Sequence, residues 1–140
     1  MERPSTNAPN RELARRWLQK ATNDLITARQ TLLLPEGPTD TVAFHAQQAV
    51  EKALKALLTF NQFEFPKIHD LVRLMDMATA FLPSLEEYRA AFAEISNYSV
   101  QVRYPDGSAG PDREDAARST AIAEEVVGRV RRTLSEATQV

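Results

Sequence analysis

Four polar side chains on one stretch are of types that handle phosphate. In the run Phe44-His45-Ala46-Gln47-Gln48-Ala49-Val50-Glu51-Lys52-Ala53-Leu54-Lys55-Ala56-Leu57-Leu58, the residues His45, Gln48, Lys52 and Lys55 are spaced three, four and three apart. On a helix turning about 100° per residue they fall within an arc of about 80°. One ridge thus carries an imidazole, an amide and two ammonium groups, a set able to receive an anion. The same spacing also fits a solvated face on which Glu51 pairs with Lys55 one turn later. A second group is Val102-Arg103-Tyr104-Pro105-Asp106-Gly107. An arginine before a proline-fixed turn can aim its planar fork at a phosphate, or it can answer the negative end of a helix while Tyr104 packs on a neighbour. The third is Lys67-Ile68-His69-Asp70-Leu71. A His-Asp pair suggests acid–base chemistry, but adjacent residues do not face each other on a helix, and His69 also suits a structural place at a helix start.

The elements that must position these groups read as helices. Leu13, Trp17, Ala21, Leu25, Ala28 and Leu32 recur at spacings of three and four, which predicts a first helix from Asn10. Pro35-Glu36-Gly37-Pro38 stops it. A second helix starts at Thr39 to Thr41, whose oxygens can cap it, with Ala46, Val50, Ala53, Leu57 and Phe60 inward and Asn61 at its end. Asp70 lies in the first turn of a third, shorter helix, where a negative charge suits the dipole, and its apolar set is Leu71, Leu74, Met75, Ala78 and Phe81. Pro83 ends it. Ser84-Leu85-Glu86-Glu87 has the form of a capping box opening a fourth helix, with Leu85, Tyr88, Phe92, Ile95, Ser99 and Val102 on one face, up to Arg103-Tyr104. The fifth follows Asp112, with Ala116, Thr120, Ala123, Val127, Val130 and Leu134 inward. No strand pattern is present. Short links between successive helices predict an all-α, five-helix up-and-down antiparallel bundle, with residues 1–9 as a flexible arm, 10–136 as the bundle and 137–140 as a tail.

Composition narrows the chemistry. The chain has 140 residues, no cysteine and a formal net charge of −2. It is the size of one domain, without a disulfide framework or thiolate metal site. No apolar run is long enough to span a membrane, the N-terminus lacks an apolar signal core, and a cytoplasmic location is expected. The net charge gives no reason for strong nonspecific nucleic-acid binding, although a local basic patch is compatible with it. P-loop, GxGxxG and HExxH patterns are absent, and two separated histidines do not make a catalytic metal site. No metal and no cofactor are expected.

Together, the Phe44 to Leu58 run, His69-Asp70-Leu71 after it and Arg103-Tyr104-Pro105-Asp106 further on resemble, in order and spacing, the HEPN family. The segment Ala14 to Leu33 is similar to the first helix of that family, so the resemblance covers about residues 10 to 136. It implies a five-helix bundle, commonly a homodimer. Small members are often encoded beside a minimal nucleotidyltransferase, in pairs that look like toxin–antitoxin modules, and have been described as its substrate-binding subunit. Other branches are metal-independent ribonucleases that carry a histidine four to six residues after an arginine near the end of the fourth helix. Here no histidine follows Arg103, so the imidazole that would serve the 2′-hydroxyl or the leaving oxygen is missing from its expected place. The reading is therefore a non-catalytic binding subunit for a nucleotide, RNA or another phosphate-bearing ligand, with Arg103, Tyr104, Lys52, Lys55, His45, Gln48 and His69 as candidate contacts. The alternatives are a ribonuclease toxin using Arg103 and a histidine from elsewhere, and a purely structural dimerisation module.

Overall fold

The computed structural model describes residues 7–101 and 110–138, with side chains over 10–96 and 110–138. Five helices follow one another: α1 (Asn7–Leu33), α2 (Thr39–Phe60), α3 (Leu71–Ala78), α4 (Arg89–Gln101) and α5 (Arg113–Ala137). A 3₁₀ helix, Pro83–Tyr88, leads into α4. No strand occurs among the described residues, and the helices pack against one another.

The helix α2 is the hub. It packs on α1, α5, α3 and α4, and its apolar stripe Ala46, Val50, Ala53, Leu54, Leu57 and Leu58 is buried. Alanines at 43, 46, 49, 53 and 56 let neighbouring helices approach closely while keeping high helix propensity. The core is closed by Leu71, Leu74 and Met75 of α3, Leu85 and Tyr88 of the 3₁₀ helix, Phe92 and Ile95 of α4, and Val126, Val127 and Val130 of α5. A smaller cluster of Ala28, Val42 and Ala116 fixes the far end of α1. There, Arg113 donates to the main-chain carbonyls of Leu32 and Leu34, the first an acceptor that α1 leaves open at its C-terminus.

The expected helix signals are met with local differences. The Pro35 to Pro38 link does stop α1, and Gly37 is required in it: a Cβ at that position would lie 2.1 Å from the Thr31 carbonyl oxygen. Asp70 is the N-cap of α3, accepting from the amides of Val72 and Arg73 at 3.0 and 3.2 Å. Pro38, not a threonine, precedes α2, with no side-chain cap; the Thr39 hydroxyl instead donates to the Pro111 carbonyl. Ser84 caps nothing either, because the segment winds as a 3₁₀ helix after Leu82, a tighter turn that suits the approach to a following helix. The capping box is at the start of α5: Asp112 accepts from the Asp115 amide at 2.7 Å and the Asp115 carboxylate accepts from the Asp112 amide at 3.1 Å. Leu13, expected inward, is 47% exposed, and α1 begins at Asn7, inside the stretch expected as an arm. Ser99 and Val102 lie outside the described side chains.

Candidate functional site

Two carboxylates organise the polar side of α2. The first is Asp24 of α1, 9% exposed. It sits between Ala21 and Leu25 on the apolar stripe, so the packing of α1 on α2 carries it inward. A buried carboxylate is tolerated only when paired and hydrogen-bonded, and α2 supplies both partners. Lys52 Nζ donates to one Asp24 oxygen at 2.6 Å, and His45 Nδ1 lies 2.8 Å from the other. His45 and Lys52 are seven residues apart, about two helical turns, so both reach α1 from one ridge and meet around a single acid. Their side chains remain 27% and 23% exposed, which leaves this cluster open to solvent. The Phe44 and His45 rings form a T-shaped pair, with their centroids 5.3 Å apart.

The second is Glu51 of α2, 3% exposed. It accepts from Lys55 Nζ at 2.9 Å, one turn along the same helix, and faces His69 Nδ1 at 2.9 Å. The amides of Gln47 and Gln48 approach its other oxygen at 3.4 Å each. Gln48 also donates to the Gln47 carbonyl at 2.8 Å, and Gln47 reaches the His69 main-chain carbonyl at 3.4 Å. The Lys55 ammonium lies 5.5 Å from the Trp17 ring centroid and 5.9 Å from that of Phe65, where cation–π attraction helps offset its desolvation. This cluster ties the link before α3 to α2, although His69 itself is 78% exposed.

The predicted ridge is therefore real as a helix face, but it divides. His45 and Lys52 converge on Asp24, whereas Gln48, Lys55 and His69 converge on Glu51. The Glu51–Lys55 pair is the i,i+4 contact that the spacing allowed. Asp70 does not orient His69; it is spent on the α3 cap, and Glu51 does that work. Arg103 and Tyr104 lie outside the described residues. Asp24 was not among the expected contacts, yet a lone acid in an apolar stripe is a legible signal for a residue that holds cations from another helix.

Away from these two clusters, Tyr88 is a further perturbed group. Burial first, and then its 2.8 Å hydrogen bond to Glu125, push the phenol up to about 12. Arg129 stacks over the same ring at 4.9 Å. This grouping braces α5 against the start of α4. Among the described residues, no group of three histidine, aspartate or glutamate side chains is arranged to hold a metal ion, and no helix is long and apolar enough to cross a membrane.

Compared with known protein families, residues 14–133 match the HEPN domain. Neither a curated protein nor a solved structure matches the chain.

Proposed function

Because the chain belongs to the HEPN domain family, we propose that it is a helical binding subunit that receives a nucleotide or other phosphate-bearing ligand and works beside a separate minimal nucleotidyltransferase. The observation that carries this reading is the convergence of His45 and Lys52 on Asp24 at a half-open seam between α1 and α2. An ammonium has three donors, and Asp24 takes one from Lys52, leaving two for an incoming oxyanion. With Nδ1 turned to Asp24, the other His45 ring nitrogen is left for the ligand. Arg103 would add a bidentate grip and Tyr104 a face for a base to stack on. Gln48, Lys55 and His69 serve the Glu51 cluster and keep α2 and the approach to α3 in register. A homodimer within a toxin–antitoxin-type module fits the same family reading.

The test is calorimetry on the full chain with ATP, GTP and short RNA. Binding is expected at up to millimolar ligand. Lys52→Met should weaken it at least about tenfold, since a hydrogen bond to a charged group contributes about 1.5–3 kcal/mol. No heat at millimolar ligand sinks the ligand part of the proposal. Affinity purification from the native host tests the partner part: a nucleotidyltransferase recovered in stoichiometric amount supports it, and recovery of this chain alone opposes it.

A second reading rests on the Asp24–His45 contact, since an acid that fixes one imidazole nitrogen leaves the other as a general base. In that case the protein is a ribonuclease with its histidine on α2 instead of after Arg103. Purified protein that leaves RNA intact without added metal, and free of any antitoxin, counts against it.

A further inference from the structure

A cavity of about 290 Å³ opens where the N-terminal half of α1 meets the ends of α2 and α5. Ala14 and Leu18 of α1, Phe60 of α2 and Leu134 of α5 line it, and so do three arginines, Arg11, Arg15 and Arg131. These cations are poorly answered. Arg15 is paired with Glu12 through contacts of 3.2 and 2.7 Å, Arg131 donates to the neutral hydroxyl of Thr22, and among the described residues neither Arg131 nor Arg11 has an acidic partner. Three positive charges thus face one carboxylate beside an apolar recess, on a protein whose net charge is −2. The cavity is separate from the Asp24 seam. Asp24 is six residues beyond Leu18, which on a helix is about 9 Å along the axis and about 120° around it.

We propose that this cavity binds an aliphatic carboxylate of medium chain length, its methylenes on the Ala14, Leu18, Phe60 and Leu134 floor and its head group among the three arginines. Each half of that chemistry is required. An apolar recess gains affinity with each methylene it removes from water. Arginine forks match a carboxylate in geometry and charge, and a partly desolvated setting strengthens that contact. The volume equals that of roughly ten water molecules in the liquid, which suits a chain of about eight carbons.

The experiment is a calorimetric series on the full chain with butyrate, hexanoate, octanoate and octan-1-ol. Affinity should rise about fourfold per methylene until the cavity is full, and octan-1-ol should bind at least about tenfold more weakly than octanoate. Arg131→Gln and Arg11→Gln, both at the surface, should each weaken octanoate binding several-fold while leaving the melting temperature unchanged. No heat with millimolar octanoate overturns the proposal, as does an affinity indifferent to chain length or to loss of the carboxylate. Binding of an acidic, leucine-containing peptide in place of octanoate also overturns it and identifies the recess as a peptide groove.

Discussion

Neutralising Asp24 should destabilise the fold and release Lys52, and the size of the effect follows from the seam's geometry. Asp24→Asn keeps the shape and an acceptor for His45 but removes the charge that Lys52 meets at 2.6 Å. Breaking a fully buried ion pair costs about 3–5 kcal/mol, and an exposed pair contributes about 0.2–1 kcal/mol. Asp24 is nearly buried, whereas Lys52 keeps 23% of its side-chain exposure, so its ammonium can turn partly to water. The expected cost lies between those limits, at about 2 kcal/mol. Lys52→Met retains the stem's packing and leaves Asp24 only its imidazole partner. A double-mutant cycle of Asp24→Asn and Lys52→Met, followed by urea unfolding with helical circular dichroism, should give a coupling energy of about 1–2 kcal/mol. The same cycle on the exposed Glu12–Arg15 pair is the control, and its coupling should be the smaller of the two. A coupling below about 0.3 kcal/mol at Asp24–Lys52 would refute the claim that this carboxylate organises the seam.

Other consequences are equally direct. Glu51→Gln strands the Lys55 ammonium, which is only 8% exposed, and should cost about 3 kcal/mol in urea unfolding; adding Lys55→Met should recover at least about half of that loss, because the stranded charge is then gone. The Tyr88 phenol is held protonated more tightly in the folded than in the unfolded chain, so its contribution is intact below the ordinary value of 10 and is lost as pH rises from 10 toward about 12. Ultraviolet titration should therefore show one of the three tyrosines ionising late, and Tyr88→Phe should abolish that phase. Gly37→Ala forces a methyl against the Thr31 carbonyl and should cost about 1–3 kcal/mol, as overpacking does; an unchanged melting temperature would contradict it.

Much of this architecture is legible in the sequence because the apolar periods are long and uninterrupted. The α5 stripe from Ala116 to Leu134 is buried at each named position, and the proline–glycine link after α1 is an unambiguous stop. The exceptions share one cause: tertiary contacts decide what a local pattern leaves open. Leu13 keeps the period of its helix yet faces outward at 47% exposure, while its neighbour Ala14 takes the buried place. Ser84 has the right neighbours for a capping box, but Pro83 and the tight approach to α4 take the segment into a 3₁₀ turn. The cationic ridge on α2 could be read as one surface because spacing alone does not reveal which acids lie opposite. Glu51 is its own neighbour in sequence, so its pairing with Lys55 could be foreseen. Asp24 comes from another helix, and only the packing of α1 on α2 brings it to His45 and Lys52.

Two histidines make phosphate binding at the Asp24 seam directly measurable. His45 and His69 are the only imidazoles in the chain, so proton magnetic resonance resolves one Hε1 signal from each, assigned with His45→Gln and His69→Gln. On titration with ATP, the His45 signal should shift with saturation, while that of His69, held on Glu51, should move little. A His45 signal that stays fixed at millimolar ATP, or a shift confined to His69, would contradict it.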